Sequence, residues 1–412
     1  MKDCCSTPGL LPIEQALEIL KNQIQPIAET TRVSLEQSLG RILAADIIAP
    51  FNIPPHNNSA MDGYALKLSD TETKNLLPLA GKAFAGHPFK GTLPEGHCIR
   101  IMTGACIPQG ADTVIMQEHT EQKETGILFN RLPQKAGNNI RKAGEDISEG
   151  TRVFTKGHKI KAQDIGLLAS LGIAHLCVYR AVRVALFSTG DELKAPGEIL
   201  RPGDIYDSNR FAVKAMLQKL GVEIIDLGCI PDDPKKIRET FLSANEQADA
   251  VISSGGVSVG EADYTKDILN ELGKTTFWKL AIKPGKPFAF GQLPDSYFFG
   301  LPGNPVSALV TFQQLAAPAL RYMMNCHQHS PLEFSATCTS PLKKAPGRKE
   351  FQRGTLTIDH NGYVKVETTG GQGSGILRSM SMADCYIVLP KDQGGVEAGE
   401  PVNVQLFDEL LL

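Results

Sequence analysis

Residues 249–266 read DAVISSGGVSVGEADYTK, residues 278–291 read WKLAIKPGKPFAFG, and residues 298–308 read FFGLPGNPVSA. Three times a short apolar run ends in a loop of Gly, Ser, Pro and Lys, and the first and third of these loops feed an amphipathic helix. In an open parallel α/β sheet such loops gather at the carboxyl ends of the strands, where ligands bind. A pocket is therefore expected here. Gly255, Gly256 and Gly260 let the backbone approach a ligand, and the N–H groups opening the next helix favour an anion. Lys279, Lys283 and Lys286 add positive charge, while Asp263 supplies a carboxylate suited to a hard cation.

The preceding residues extend the same pattern. RVALFSTGDEL (183–193) is strand then loop, SNRFAVKAMLQKLG (208–221) is helix, VEIIDLGCI (222–230) is strand and DDPKKIRETFLSANEQ (232–247) is helix. This alternation with continuous apolar strands predicts a parallel sheet covered by helices on both faces. The polar strand ends then line up: Thr189, Asp191 and Glu192 on one strand, Asp232 and Asp233 on the next, Ser258 and Asp263 on the third. Singly, Asp232 and Ser208 read as helix caps. Together, at equivalent places in one sheet, these residues favour a site.

With 412 residues the chain holds two to four domains and can bury a sizeable core. Hydrophobic residues make up 42% and charged residues 21%, as in ordinary globular chains. The net charge of −3 argues against bulk binding to nucleic acid or anionic membrane, although a local basic pocket is compatible with it. No apolar stretch is long enough to span a bilayer and no signal-peptide core follows the first residues, so the cytoplasm is expected. The 9 cysteines include no C-x-x-C pair, which disfavours a zinc ribbon. Cys326, His327 and His329 read as a polar surface loop, and Cys98 and Cys106 as buried small hydrophobes.

At the start, residues 12–25 (PIEQALEILKNQIQ) have helical spacing, and residues 33–43 (VSLEQSLGRIL) form a second short periodic segment before a boundary at Pro50, Pro54 and Pro55. Residues 51–150 change to short β-like runs. Two polar runs stand out there, HNNSAMDGYAL (56–66) with Asp62 and NNIRKAGEDISEG (138–150) with Asp146. Each by itself reads as an ordinary polar turn or solvated loop. Between them IRIMTGACIPQGADTVIMQE (99–118) reads as two strands joined by a loop, with Thr103 and Gly104 ending the first. KAQDIGLLASL (161–171) returns to helix with Gly172 as its C-cap, and AHLCVY (174–179) is a strand. Residues 334–407 predict a separate all-β domain. In it PLKKAPGRKEFQRG (341–354) reads as a charged edge hairpin. The Gly- and Ser-rich loop carrying Ser374 is costly to order unless it contacts something.

The runs NSAMDGYA, RIMTGA, GEDI, STGDEL, SSGGVSVGEADYTK, KPGKPFAFG and LPGNPVSA, in that order, resemble the molybdopterin molybdenumtransferase family, the MoeA-type proteins related to the E domain of gephyrin. The resemblance spans residues 12–407. It implies an enzyme of molybdenum cofactor biosynthesis that takes adenylylated molybdopterin and molybdate, removes AMP with the help of Mg²⁺ and leaves molybdenum cofactor. The implied fold is an elongated subunit of four parts. These are a MogA-like parallel α/β domain (8–30 and 182–328), a small linking domain (31–50 and 150–181), a β-rich subdomain (51–149) and a C-terminal β-barrel domain (329–412).

Carried over by position, the family's acidic site residues fall on Asp62, Asp146, Glu192, Asp232 and Asp263, with Asp263, Asp232 and Glu192 as the metal carboxylates. Ser258, Lys279, Lys283 and Lys286 match anion-holding residues, and Arg348 and Ser374 match those implied for molybdate, a dianion suited to such donors. Pro302 and Pro305 shape a loop, and Thr103 matches a position of unassigned role. A homodimer is implied, its site completed by the region of Asp62 and Asp146 from the second subunit, with a molybdopterin adenylyltransferase as substrate donor. Two alternatives are a CinA-like nucleotide pyrophosphatase, which shares the α/β domain, and a non-catalytic scaffold.

Overall fold

The computed structural model describes residues 9–255, 264–326 and 331–407. Its largest layer is a six-stranded sheet in the order Glu223–Ile230, Arg183–Thr189, Ala250–Ser254, Tyr297–Leu301, Pro287–Gln292, Lys274–Lys279. The first four strands are parallel. Pro287–Gln292 runs against both of its neighbours, so Lys274–Lys279 again runs with the first four and the parallel sheet carries one reversed strand. The cause is connection length: only residues 280–286 and 293–296 join these strands, whereas a parallel return needs a dozen or more.

The strand Arg183–Thr189 is buried along nearly its whole length because it is covered on both faces. Val184 and Leu186 join a core with helices Ile13–Gln23, Ser208–Leu220 and Ala317–Met323. Ala185 and Phe187 join another, with helices Pro234–Gln247 and Tyr264–Leu272. The partner of the N-terminal helix is thus Ala317–Met323, against which Ala16 and Leu20 are buried. The caps are displaced from their expected places. Asp207, not Ser208, accepts from the N–H of Arg210, at 3.2 Å. Asp233, not Asp232, accepts from the N–H groups of Lys235 and Lys236, ahead of a proline in the first turn.

Residues 33–43 do not form a helix. Thr30–Ser34 is a strand paired with His175–Tyr179, as its β-branched Thr30, Thr31 and Val33 favour, and a single 3₁₀ turn follows. A two-strand neck, Ile47–Ile48 with Arg152–Phe154, leads to a β-rich segment. There Gly63–Leu66 lies between Cys98–Ile101 and Thr113–Met116, so the two strands read from 99–118 pair with a third rather than with each other.

In the C-terminal part, Glu333–Cys338, Lys349–Ile358, Val364–Thr368, Cys385–Leu389 and Pro401–Leu406 close into a five-stranded barrel, since Lys349–Ile358 pairs on both sides. Its basic strand is therefore interior to the sheet rather than a charged edge. A barrel leaves no edge to protect. Cys326 packs in the core instead of on a polar loop, and His327 and His329 lie outside the described residues. Cys98 is buried and Cys106 half-buried. Among the described residues, no helix is long and apolar enough to cross a membrane.

Candidate functional site

The register of the central sheet gathers the expected loops on one edge. Ser188 pairs with Ser254 and Ser254 with Leu301, so the loops after Thr189, Ile230, Ser254 and Leu301 leave together. Ala289 pairs with Gly300 and Pro287 with Lys279, which puts the antiparallel turn 280–286 on the same edge. The chain leaves Arg183–Thr189 toward one neighbour and returns on the other, so the switch point lies between Thr189 and Ser254. Four strand spacings separate Arg183–Thr189 from Lys274–Lys279, about 19 Å at about 4.8 Å each. The carboxylates of Asp191, Glu192 and Asp232 and the three lysines thus lie toward opposite ends of one sheet edge.

At the acidic end the main-chain N–H of Asp232 donates to Asp191 Oδ1 at 3.1 Å. Glu192 folds back over Gly190, where a Cβ would lie 2.6 Å from Glu192 Oε2. Gly190 takes φ +149°, a backbone conformation that strains any side chain placed there. Burial, then the charges of Asp191 and Glu192, raise the Asp232 carboxyl above its ordinary range. Crowded carboxylates that resist joint ionisation suit a hard cation. Among the described residues, no three His, Cys, Asp or Glu side chains are already arranged to hold a metal ion. Asp263 and Ser258 lie outside the described residues.

In the middle of the edge stands Asn209, a residue the sequence analysis passed over. Its Nδ2 donates to Ser254 Oγ at 2.9 Å and to the Gly303 carbonyl at 2.8 Å, tying the first loop to the third. Its signal in the sequence is only its place next to Ser208, the expected cap. Pro302 is buried and Pro305 opens the helix Pro305–Thr311. The N–H of Val306 in that helix donates to the carbonyl of Ser374 at 3.0 Å, which brings the barrel's glycine loop to the third strand end. Gly285, at φ +108°, lies where a Cβ would meet Thr311 Cγ2 at 2.7 Å, so the lysine turn packs directly on the same helix.

At the basic end Lys279, Lys283 and Lys286 are exposed. Ile282–Lys283 pairs with Lys349 and Glu350 at the start of the long barrel strand, and Lys349 N–H donates to the Ala281 carbonyl at 2.9 Å. Arg348 precedes this pair and so borders the lysine turn. Lys283 Nζ is 3.1 Å from Oε1 of the buried Glu350, a carboxylate that the sequence analysis also missed.

The other two acidic positions lie in the β-rich segment. Asp62 Oδ1 accepts from both the N–H and the hydroxyl of Thr103, each at 2.7 Å. These bonds, with Arg100 nearby, hold the carboxyl below its ordinary range. Asp146 is exposed, and its main-chain N–H donates to the Ile53 carbonyl. The two polar runs meet: Asn58 and Ser59 pair with Ile140 and Arg141, and Asn57 Oδ1 accepts from the N–H of Ala143 at 2.9 Å. No hydrogen bond or ion pair among the described residues ties Asp62 or Asp146 to the sheet edge.

Comparison with known proteins gives a consistent result. The profile of the MoeA N-terminal region (domain I and II) matches residues 11–172, that of the probable molybdopterin binding domain matches 185–322, and that of the MoeA C-terminal region (domain IV) matches 335–407. The chain is 48% identical over 404 residues to a molybdopterin molybdenumtransferase of Haemophilus influenzae, covering 98% of this chain and 100% of that one. It is 31% identical to a gephyrin of Dictyostelium discoideum over 98% of this chain and 63% of the relative. The crystal structure of a molybdopterin biosynthesis MoeA protein from Pyrococcus horikoshii OT3 superposes with a TM-score of 0.82 at 31% identity, covering 97% and 100% of the two chains. With its regions matched in order and a relative this similar over nearly the whole length, the chain belongs to the MoeA-type molybdopterin molybdenumtransferases, enzymes of molybdenum cofactor biosynthesis.

Proposed function

We propose that the chain takes adenylylated molybdopterin and molybdate, cleaves the phosphoanhydride to release AMP, and leaves molybdenum bound to the pterin. The observation that carries this is the extended sheet edge, acidic near the switch point and basic about 19 Å away. Molybdate alone is too small to use both ends, whereas an elongated substrate joining a pterin to a nucleotide through phosphates reaches from one to the other.

In this reading Asp232, Glu192 and Asp263 hold Mg²⁺, with Asp191 beside them. When bound, Mg²⁺ offsets charge on the phosphate being cleaved. Lys279, Lys283, Lys286 and Ser258 hold the substrate's anionic groups, Arg348 and Ser374 hold molybdate, and Pro302 and Pro305 fix the loop between them. Asp62 and Asp146 of the partner subunit complete the site in a homodimer, with Thr103 keeping Asp62 ionised and oriented. The four-part division of the chain stated above, a cytoplasmic location and substrate delivery by a molybdopterin adenylyltransferase belong to the same proposal.

The test is AMP release from adenylylated molybdopterin with Mg²⁺ and molybdate added separately and together. Release that needs both supports the reading. Cleavage of unrelated dinucleotides, or no release at all, overturns it in favour of a nucleotide pyrophosphatase or a scaffold.

A further inference from the structure

Residues 130–139 (NRLPQKAGNN) join the strands Gly126–Phe129 and Ile140–Arg141 of the β-rich segment. The loop is pinned at its two ends. Asn130 N–H donates to the His119 carbonyl at 2.8 Å, Gly137 N–H donates to the Asp112 carbonyl at 2.7 Å, and the Asn138 carbonyl accepts from Val114 N–H at 3.0 Å. Gly137, at φ +91°, and Asn139, at φ +55°, turn the chain back onto the strand Thr113–Met116. Between the pins, no main-chain group of residues 131–136 makes a hydrogen bond among the described residues. The loop arches over an open cleft of about 880 Å³ instead of packing down.

The lining carries charge of one sign. Arg131, Lys135 and His119 line the cleft, and no aspartate or glutamate does. None of these three side chains makes a hydrogen bond or ion pair with a protein group among the described residues, and the N–H groups of the arch have no protein acceptor there either. Free cations and free N–H groups around one cleft suit an anion with several oxygens, and the arginine fork matches a phosphate. Ile115, Met116 and Leu132 add apolar lining, the first buried, the second half-buried and the third 38% exposed. A thioether is a favourable neighbour for an aromatic ring. Clefts of roughly 300–1,000 Å³ suit organic ligands, so a bare oxyanion would leave most of this one unfilled.

We infer that this cleft binds a phosphomonoester of nucleotide size. Arg131, Lys135 and His119 hold the phosphate, and the organic body lies against Met116 and Leu132. Through Met116, which pairs with Gly63, the cleft adjoins the strand that follows Asp62. The site does not depend on what the sheet edge binds.

The test is hydrogen exchange of the full-length protein, read by mass spectrometry over residues 131–136 and over the sheet-edge turn 280–286. AMP, adenosine and inorganic phosphate are added separately. AMP is expected to slow exchange over 131–136, since main-chain N–H groups without a partner exchange freely until a ligand claims them. Adenosine lacks the anion and is expected to have no effect. Phosphate lacks the organic body and is expected to need a concentration at least about tenfold higher than AMP. Arg131→Gln and Lys135→Gln are each expected to raise the half-saturating AMP concentration about tenfold, through the loss of one charge-assisted hydrogen bond. Their melting temperatures should match wild type, because neither side chain has a protein partner to lose. Phosphate acting at the same concentration as AMP, equal protection by adenosine, or AMP protection that both variants retain in full overturns the proposal. Protection confined to 280–286 overturns it as well, while leaving the reading of the sheet edge intact.

Discussion

Lys283 and Glu350 face each other across the junction between the central sheet and the barrel, Nζ to Oε1 at 3.1 Å, with the carboxylate 6% exposed and the lysine 46%. The buried member is the fixed one, and Gln352 Nε2 donates to its other oxygen at 3.2 Å. Glu350→Gln keeps the shape and removes the charge that holds Lys283. Because the lysine keeps access to water, the expected stability loss is only about 1 kcal/mol. A several-fold weaker hold on adenylylated molybdopterin is expected as well, since a lysine free to swing spends less time on the substrate. Calorimetry of the binding decides it: unchanged affinity would mean that Lys283 is positioned by something else.

The raised proton affinity of Asp232 predicts a trade between stability and function. A carboxyl whose folded pKa lies above its unfolded value contributes most to stability when protonated. That contribution is lost as pH rises from about 4 through the folded pKa. In EDTA, Asp232→Asn should therefore melt higher than wild type at pH 7 while losing AMP release. Added Mg²⁺ should raise the wild-type melting temperature and affect the variant less. Identical responses to Mg²⁺ would separate Asp232 from the cation.

Asp249 behaves in the opposite sense. Burial by itself would raise its carboxyl, but bonds from Arg180, from the main-chain N–H of Arg183 and from the Arg183 side chain bring it below the ordinary range. Its stabilisation is complete above about pH 4 and is lost as pH falls through the depressed folded value. Asp249→Asn is expected to cost about 2–3 kcal/mol, less than breaking a fully buried pair because Arg183 is 41% exposed. It should also flatten the acid limb of the melting curve. Denaturant titrations of both proteins between pH 3 and about 7 check this, and an unaltered acid limb would show that other carboxylates control it.

The sequence was informative wherever one strand or loop carried its own signal. Continuous apolar runs marked Arg183–Thr189 and Ala250–Ser254 as doubly covered strands, and the glycine and proline loops marked the edge where they end. It was silent wherever the cause lay across the fold. Asp232 and Asp233 are indistinguishable as cap candidates until the helix start is known, and only the residue at the start can cap. VSLEQSLGRIL has helical spacing, yet the pairing of Val33 with Leu176, distant in sequence, makes its first residues a strand. Arg353 and Glu350 sit in a run whose charges suggest solvent, and only the tertiary structure shows that both are buried. Thr103 acquires a role once it is seen to hold Asp62.

That hold leads to the sharpest test of the shared site. Thr103, with Arg100 nearby, holds the Asp62 carboxyl below its ordinary range and fixes its Oδ1. If it serves the sheet edge of the partner subunit, Asp62→Asn and Asp232→Asn disable different halves of one composite site. Each variant alone should release little AMP. When the two are unfolded together and refolded, random pairing makes about half of the dimers mixed, and each mixed dimer has one of its two sites intact, so about a quarter of wild-type activity should return. A site built within a single chain gives no recovery, because every chain in the mixture carries one lesion.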